Sequence, residues 1–301
     1  PGERGSLRFE LERLPLAQFT PYLASAADLR IPKGDLSLAL RAALARSGAA
    51  AKVELHRPDS LNSWDAQMST DLLAAYEAVR DDDEARAALL TGAGRAFCSG
   101  ADLRSAGSGF MTPEGLPDLR RSLRERYHPV ITGFRRLPKP VVSAVSGPCV
   151  GVGMSLALCA DLVYATPEAY FLLAFVNIGL VPDGGSSAFV PERIGLARAT
   201  ELAMLGERLP AERAAEWGLI NRVIAPEAFE TEVGAVVGKL AAGPTASYAG
   251  TKRQLNAWAY GRLDDQLELE ASIQQEMAAT GDFAEGVTAF VQKRDAAFAG
   301  R

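Results

Sequence analysis

This sequence predicts an α/β layered fold, and three observations carry the prediction. Residues 87–91, 141–145 and 162–165 are short and apolar, with the length of buried strands. Helical patterns lie between and after them, and strands alternating with helices build layers. Glycine follows the first two of these strands, at Gly92 and Gly147, where a chain turns tightly at a strand end.

Taken in order, residues 7–12 (Leu7-Arg8-Phe9-Glu10-Leu11-Glu12) and 36–41 (Leu36-Ser37-Leu38-Ala39-Leu40-Arg41) alternate apolar and polar side chains, as half-buried strands do. Pro21 and the turn Pro32-Lys33-Gly34-Asp35 separate them. Composition shifts near Ser47-Gly48. Residues 51–55 form a further strand, and Arg57-Pro58-Asp59-Ser60 a loop. A helix is expected over 65–79: Asp65 caps it, and Met68, Leu72, Leu73, Tyr76 and Val79 recur at helical spacing. Asp81-Asp82-Asp83-Glu84 reads as a solvated turn. A glycine-rich loop then leads into a helix from about 152 to 160. From about Gly195 the tail is helical, with segments over 197–205, 211–217 ended by Gly218, and 264–298 interrupted near Gly281.

Composition narrows the function classes. The chain has 301 residues, 48% hydrophobic and 23% charged, which suits a packed protein and argues against disorder. Its net charge is −5 and it has no block dense in Lys and Arg, so nucleic acid is not an expected partner. Two histidines and three cysteines (Cys98, Cys149, Cys159) are too few for a zinc ribbon or a disulfide scaffold, so no metal is expected. The sparse, odd cysteine count suits a reducing compartment, and a cytoplasmic location is the expectation. The chain opens on Pro1, which fits a trimmed N-terminus, and residues 1–30 carry no pattern of a secretory signal. Residues 140–160 hold no charge and have the length of a membrane span. Gly147, Pro148, Gly151 and Gly153 break them, so they read as strand, turn and buried helix.

Two turns carry candidate chemistry. In Ser146-Gly147-Pro148-Cys149-Val150-Gly151-Val152-Gly153, glycine lets a backbone approach a ligand and leaves amides uncovered. The dinucleotide fingerprint fails because Leu156 stands where its third glycine belongs. Close packing of helix on strand explains the same glycines. The second turn, Phe97-Cys98-Ser99-Gly100-Ala101-Asp102, also follows a strand. Two such turns in one layer can aim two amides at one point, and such a pair stabilises an oxyanion.

From about residue 51 onward the chain resembles the crotonase (enoyl-CoA hydratase/isomerase) family. The matching segments are Arg57-Pro58-Asp59-Ser60-Leu61-Asn62, Gly94-Arg95-Ala96-Phe97-Cys98-Ser99-Gly100-Ala101-Asp102-Leu103 and Leu137-Pro138-Lys139-Pro140-Val141-Val142-Ser143-Ala144-Val145-Ser146-Gly147. They continue with Gly179-Leu180-Val181-Pro182-Asp183-Gly184-Gly185-Ser186-Ser187, Ala214-Ala215-Glu216-Trp217-Gly218-Leu219-Ile220 and Phe290-Val291-Gln292-Lys293-Arg294. The resemblance implies a ββα spiral core over residues 51–195, with a helical region over 196–301 that builds homotrimers or hexamers. It implies an acyl-CoA thioester as substrate and no further cofactor. By position, the oxyanion hole is formed by the backbone N–H groups of Ala101 and Val152. Valine in place of the commoner glycine adds a branched side chain beside the thioester. Phe290 and Lys293 match positions that cover the CoA end, often across a subunit boundary, although an ordinary helix would also carry an apolar face and an exposed lysine. Arg104 is a weaker candidate for phosphate contact.

The sequence departs from the hydratases of that family. Their two water-handling glutamates correspond in position to Ser155 and Phe175, neither of which can activate water at neutral pH. One carboxylate remains in the pattern, Asp183, where family isomerases that shift a double bond carry an Asp or Glu base. Phe171, Phe175 and Val152 would exclude water from it. Pro182-Asp183-Gly184 is also ordinary turn chemistry. The expected activity is therefore enoyl-CoA isomerisation. Hydration is the runner-up, and a non-catalytic acyl-CoA-binding protein is the rival of another class. Asp102 and Asp161 are expected on backbone amides, Asn62 as a loop organiser, His56 and His128 outside catalysis, Ser186-Ser187 as helix caps, and the cysteines as packed thiols.

Residues 1–50 do not match the start of a crotonase. Residues 11–23 (Leu11 to Leu23) and 33–38 (Lys33 to Leu38) resemble a repeat unit of AsmA-like bacterial envelope proteins, over about 1–46. Such a fragment is too short to close a core of its own. It either donates a hairpin strand to the sheet or stays loosely attached.

Overall fold

The computed structural model describes residues 28–29, 42–103 and 110–301. The strands expected at 7–12 and 36–41, the turn between them, the stretches 11–23 and 33–38 that carry the AsmA-like resemblance, and Arg104 lie outside the described residues.

A short strand β1 (Asp28–Leu29) pairs antiparallel with β2 (Ala42–Ser47), which makes an antiparallel hairpin with β3 (Ala50–Leu55) through a turn at Gly48. The end of the N-terminal segment is thus a strand of the main sheet. Helix α1 (Ala66–Asp81) follows, with the Asp65 carboxylate accepting from Met68 N at 2.8 Å as its cap. Its C-terminal carbonyls are collected by one ammonium: Lys139 Nζ donates to Val79 O (2.6 Å), Arg80 O (3.1 Å) and Asp82 O (2.8 Å). Strand β4 (Ala87–Gly92) lies parallel to β3.

A short helix α2 (Leu119–Ser122) runs through a single π-helical turn, Leu123–Tyr127, into α3 (His128–Arg136). Then come β5 (Val141–Val145), β6 (Pro148–Val150), α4 (Val152–Leu158), β7 (Leu162–Ala165) and β8 (Tyr170–Leu172). Helices α5 (Ser186–Ile194) and α6 (Leu196–Leu205), strand β9 (Leu209–Pro210), α7 (Ala211–Trp217) and β10 (Arg222–Val223) complete the core. Four longer helices close the chain: α8 (Pro226–Ala242), α9 (Thr245–Ala259), α10 (Leu263–Ala278) and α11 (Gly281–Gln292).

The main sheet has the order β1-β2-β3-β4-β5-β7-β10, parallel from β3 onward. A second sheet, β6-β8-β9, stands beside it. All five residues of β5 are buried, which explains its unbroken apolar sequence: a parallel strand covered on both faces has no polar side. Val142 and Ala144 pack with Tyr164 against Val233, Val237 and Ala241 of α8. Val141 and Val145 face the larger core with Leu90, Met68, Leu72, Phe134 and Leu158. The uncharged stretch 140–160 is therefore strand, turn and buried helix, and no described helix is long and apolar enough to cross a membrane.

Asp161 ties the start of β5 to the C-terminal helices. Its Oδ2 accepts from Val141 N (2.8 Å) and Lys252 Nζ (2.9 Å), and its other oxygen takes the Arg135 guanidinium. This meets the expectation of an amide partner and adds two buried cations to it.

Gly147 carries the turn from β5 to β6. Its φ is +60°, and a Cβ there would fall 2.0 Å from Arg95 O. Gly147→Ala is expected to destabilise the fold by about 2–4 kcal/mol, through backbone strain and overlap together. Urea denaturation checks this, and a loss below about 0.5 kcal/mol would show that the turn relaxes freely.

Candidate active site

The site is assembled where two loops meet beyond the C-terminal ends of the central strands β4 and β5. The first leaves β4 and is fixed by Asn62. That side chain donates to Ala93 O (2.9 Å) and Ala96 O (2.7 Å) and accepts from Arg57 N (2.8 Å), so it organises the loop as its position suggested. Residues 97–101 then run between two neighbours. On one side Cys98 N donates to Pro148 O (3.1 Å) and Val150 N donates to Cys98 O (2.9 Å). On the other, Ser99 N donates to Leu61 O (3.0 Å) and Trp64 N to Gly100 O (2.8 Å), while Asp102 N donates to Trp64 O (3.0 Å). The last two bonds bracket Ala101. Its own N–H is therefore turned away from Trp64, since ladder bonds on one side come from alternate residues. Ala101 is exposed and its N–H has no acceptor among the described residues.

The second loop ends at Gly151, which caps α4 with φ 53° and ψ −128°. Gly151 O accepts from Met154 N (2.9 Å) and Ser155 N (3.2 Å), which leaves the Val152 N–H as a first-turn donor without a partner among the described residues. The loops adjoin: a Cβ on Gly151 would stand 3.9 Å from Gly100 Cα and 3.7 Å from the Phe175 ring. Phe175 is buried at this junction, and the Val152 side chain is buried with it. Gly153 has a different reason to be glycine, because a Cβ there would meet Cys98 Cβ at 2.6 Å. Packing thus accounts for Gly147 and Gly153, while Gly100 and Gly151 shape the meeting point. Two free amides on adjoining loops can converge on one developing negative oxygen.

Asp183 lies on the turn before α5, next to this junction. A Cβ on the following Gly184 would lie 3.0 Å from Ser155 Cβ and 3.4 Å from Val152 Cγ2. Ser155 Oγ donates to Asp183 O (2.8 Å), as does Ser186 Oγ (2.8 Å). The Asp183 side chain is buried. Its Oδ2 accepts from Gln274 Nε2 (2.7 Å), and its Oδ1 is buried without a partner among the described residues. Burial pushes its pKa up to about 8, with the nearby negative charge of Glu270 adding to the rise and the Gln274 bond opposing it. Such a carboxyl can hold a proton at neutral pH and exchange it through the free oxygen.

Sequence reasoning missed two partners of Asp183 on α10. Glu270 and Gln274 sit on the same helix face as the buried Leu263, Leu267, Ala271 and Ala278. A Glu and a Gln at core positions of an amphipathic helix were the available signal. It also missed Tyr127 in the π-turn. The Tyr127 phenol is held well above its usual range, first by burial and then by the charge of Asp183. Its ring stands edge-on to Trp64 with centroids 5.0 Å apart.

The remaining candidates fall in various places. Phe290 is exposed on α11, and Lys293 is exposed at its C-cap with φ 56°. The Asp102 carboxylate accepts from Arg57 Nη2 (2.9 Å) and Ser63 Oγ (3.2 Å), which ties the loop after β4 to the loop before α1. Ser186 and Ser187 are not N-caps. Gly185 holds that position, and Ser187 Oγ donates to Glu270 instead. His128 is pushed down to about 4 by burial, so it stays neutral. All three cysteines are free and buried.

Open amides and a buried acid on adjoining loops are groups able to stabilise a negative oxygen and to move a proton. A profile of the enoyl-CoA hydratase/isomerase family matches residues 45–301, and the chain belongs to that family. Among curated relatives, a "probable enoyl-CoA hydratase" of Rhodobacter capsulatus is 43% identical over 83% of this chain and 95% of its own. The 1,2-epoxyphenylacetyl-CoA isomerase of Escherichia coli is 40% identical over 82% of this chain and 94% of its own. Among solved structures, an enoyl-CoA hydratase from Mycobacterium avium subsp. paratuberculosis superposes with a TM-score of 0.77 at 38% identity, covering 86% of this chain and 98% of that one.

The raised Asp183 pKa ties stability to pH. The folded state holds this proton more tightly than the unfolded chain, whose value is near 3.8. The stabilising contribution is therefore full below that value and is lost as pH rises through about 8. The stability of Asp183→Asn relative to the parent is expected to grow between pH 4 and pH 8, by on the order of 2–5 kcal/mol, and then level off. Urea midpoints across that range check it, and a flat difference would mean the carboxyl is not held protonated.

Proposed function

We propose that the chain is an acyl-CoA enzyme that shifts a double bond in an enoyl-CoA. The observation that carries this reading is a single buried carboxyl, Asp183, with one unpartnered oxygen, beside the adjoining loops of Ala101 and Val152. In the proposed reaction the two backbone N–H groups hold the thioester oxygen. Asp183 Oδ1 takes the proton from C2 of a 3-enoyl-CoA, and the freed electron pair moves onto that oxygen as a dienolate. Asp183 returns the proton at C4, the electrons move back, and the double bond then lies between C2 and C3. No water enters, so one acid/base suffices. Phe175 and Val152 line the junction with carbon and keep water away from the dienolate. An epoxide isomerase of a CoA thioester among the relatives supports isomerase chemistry on this scaffold.

Arg104, Phe290 and Lys293 are proposed to contact the CoA portion of the substrate. The last two would do so across a subunit boundary in a homotrimer or hexamer. Leu255 and Trp258, three residues apart on α9 and both exposed, form an apolar pair that such an assembly would cover.

Conversion of 3-enoyl-CoA to 2-enoyl-CoA, followed by absorbance, is the direct test. Turnover is expected to fall roughly 10²–10⁴-fold in Asp183→Asn while CoA-ester binding persists. Efficient hydration of crotonyl-CoA that survives this substitution would favour the reading suggested by the hydratase-named relative. Tight ester binding with no turnover in the parent would favour a binding protein.

A further inference from the structure

We propose that Glu270 is a positioning residue that sets the basicity of Asp183 across a buried turn, with Gln274 choosing which Asp183 oxygen meets the substrate. This inference rests on the reading of Asp183 as the acid/base.

The turn Asp183-Gly184-Gly185 is clamped from both ends by one face of α10. At one end Gln274 Nε2 binds Asp183 Oδ2 and also Val181 O at 2.8 Å. That engages Oδ2 and leaves Oδ1 as the free oxygen. At the other end Glu270 Oε2 accepts from Gly185 N (2.8 Å), and Oε1 accepts from Ser187 N (3.1 Å) and the Ser187 hydroxyl. Gln266 Nε2 in turn donates to Ser187 Oγ at 2.8 Å. The turn can pass between these anchors because Gly184 and Gly185 both adopt positive φ, at 63° and 86°.

The two carboxyls are solvated unequally. Glu270 is buried but has three donors, two of them N–H groups at the start of the nine-residue helix α5. Asp183 has one donor, from a neutral amide. Burial raises Glu270 too, to about 7, and its three hydrogen bonds restrain the rise. With three donors to hold its charge against one for Asp183, Glu270 is the better placed of the pair to ionise first. Its charge then opposes the ionisation of Asp183, and a carboxylate made harder to form is a stronger base once formed.

The other groups facing Asp183 do not supply that charge. From the π-turn, Tyr127 faces it as a neutral phenol, with Arg126, Cys98 and Asp65 around Tyr127 in turn. Neither carboxyl makes an ion pair with Lys or Arg among the described residues.

The test is the pH dependence of kcat/KM between pH 5 and 9.5, together with the ¹³C carboxyl titration of Asp183, assigned through Asp183→Asn. In Glu270→Gln the rising limb and the Asp183 midpoint are expected to move down by about one pH unit. The plateau rate should drop severalfold because the base is weaker. Glu270→Asp, which keeps the charge, should leave the Asp183 midpoint near that of the parent. A rate loss at every pH with an unmoved midpoint in Glu270→Gln would overturn the proposal and leave Glu270 a structural anchor. Should Glu270→Gln fail to fold, the parent decides: the Asp183 resonance should respond in two steps, the first following Glu270, and a single step overturns it. The carboxyl titration does not depend on turnover, so it separates failure of this inference from failure of the isomerase reading.

Discussion

A carboxyl group held out of water, with no cation paired to it among the described residues, is the constraint around which this site is built. Asp183 is kept there by bonds to its backbone and to one of its two oxygens. Ser155 and Ser186 hold its carbonyl, and Gln274 holds Oδ2. Each of these partners is neutral. A lysine or arginine in the same place would draw the proton away and leave a weak base. The desolvation that destabilises the charged form is the property that makes this acid able to exchange a proton near neutral pH.

The second requirement is that the two strand-end loops touch. Backbone hydrogen bonds of Cys98 with Pro148 and Val150 hold residues 97–101 against β6, and the missing side chain of Gly153 lets α4 sit directly on Cys98. These are tight backbone contacts, so the directions of the Ala101 and Val152 N–H groups follow from the ladder and the helix start rather than from mobile side chains. In the proposed reaction such a pair of main-chain donors is rigid and needs no reorganisation as charge develops.

Ser155 links this chain to its relatives and also sets it apart. By resemblance, hydratases of the family carry a water-handling glutamate at this place. Here a short hydroxyl instead reaches the carbonyl of Asp183. The position has exchanged a role toward water for one that steadies the turn bearing the remaining acid. Phe175 fills the other such place with a ring packed beside Gly151. Neither Ser155 nor Phe175 brings a carboxylate to the junction.

The amino-acid sequence alone determined the elements whose signals are local. The apolar runs of β4, β5 and β7, the Asp65 cap, the Gly218 stop and the break near Gly281 are all where spacing and turn chemistry put them. The register of the two glycine turns and Asp183 could also be read along the chain, because they lie in contiguous segments with recognisable patterns. Tertiary structure alone decided which groups face Asp183. Glu270 and Gln274 are some ninety residues away in sequence, on a helix whose pattern says only that one face is buried. The strands β6, β8 and β9 were equally illegible, since two or three residues are too few to show a period, and they exist because neighbouring segments complete their hydrogen bonds. Local preference is written in short stretches of chain, whereas the charge felt by a buried acid depends on what folding brings within a few ångströms of it.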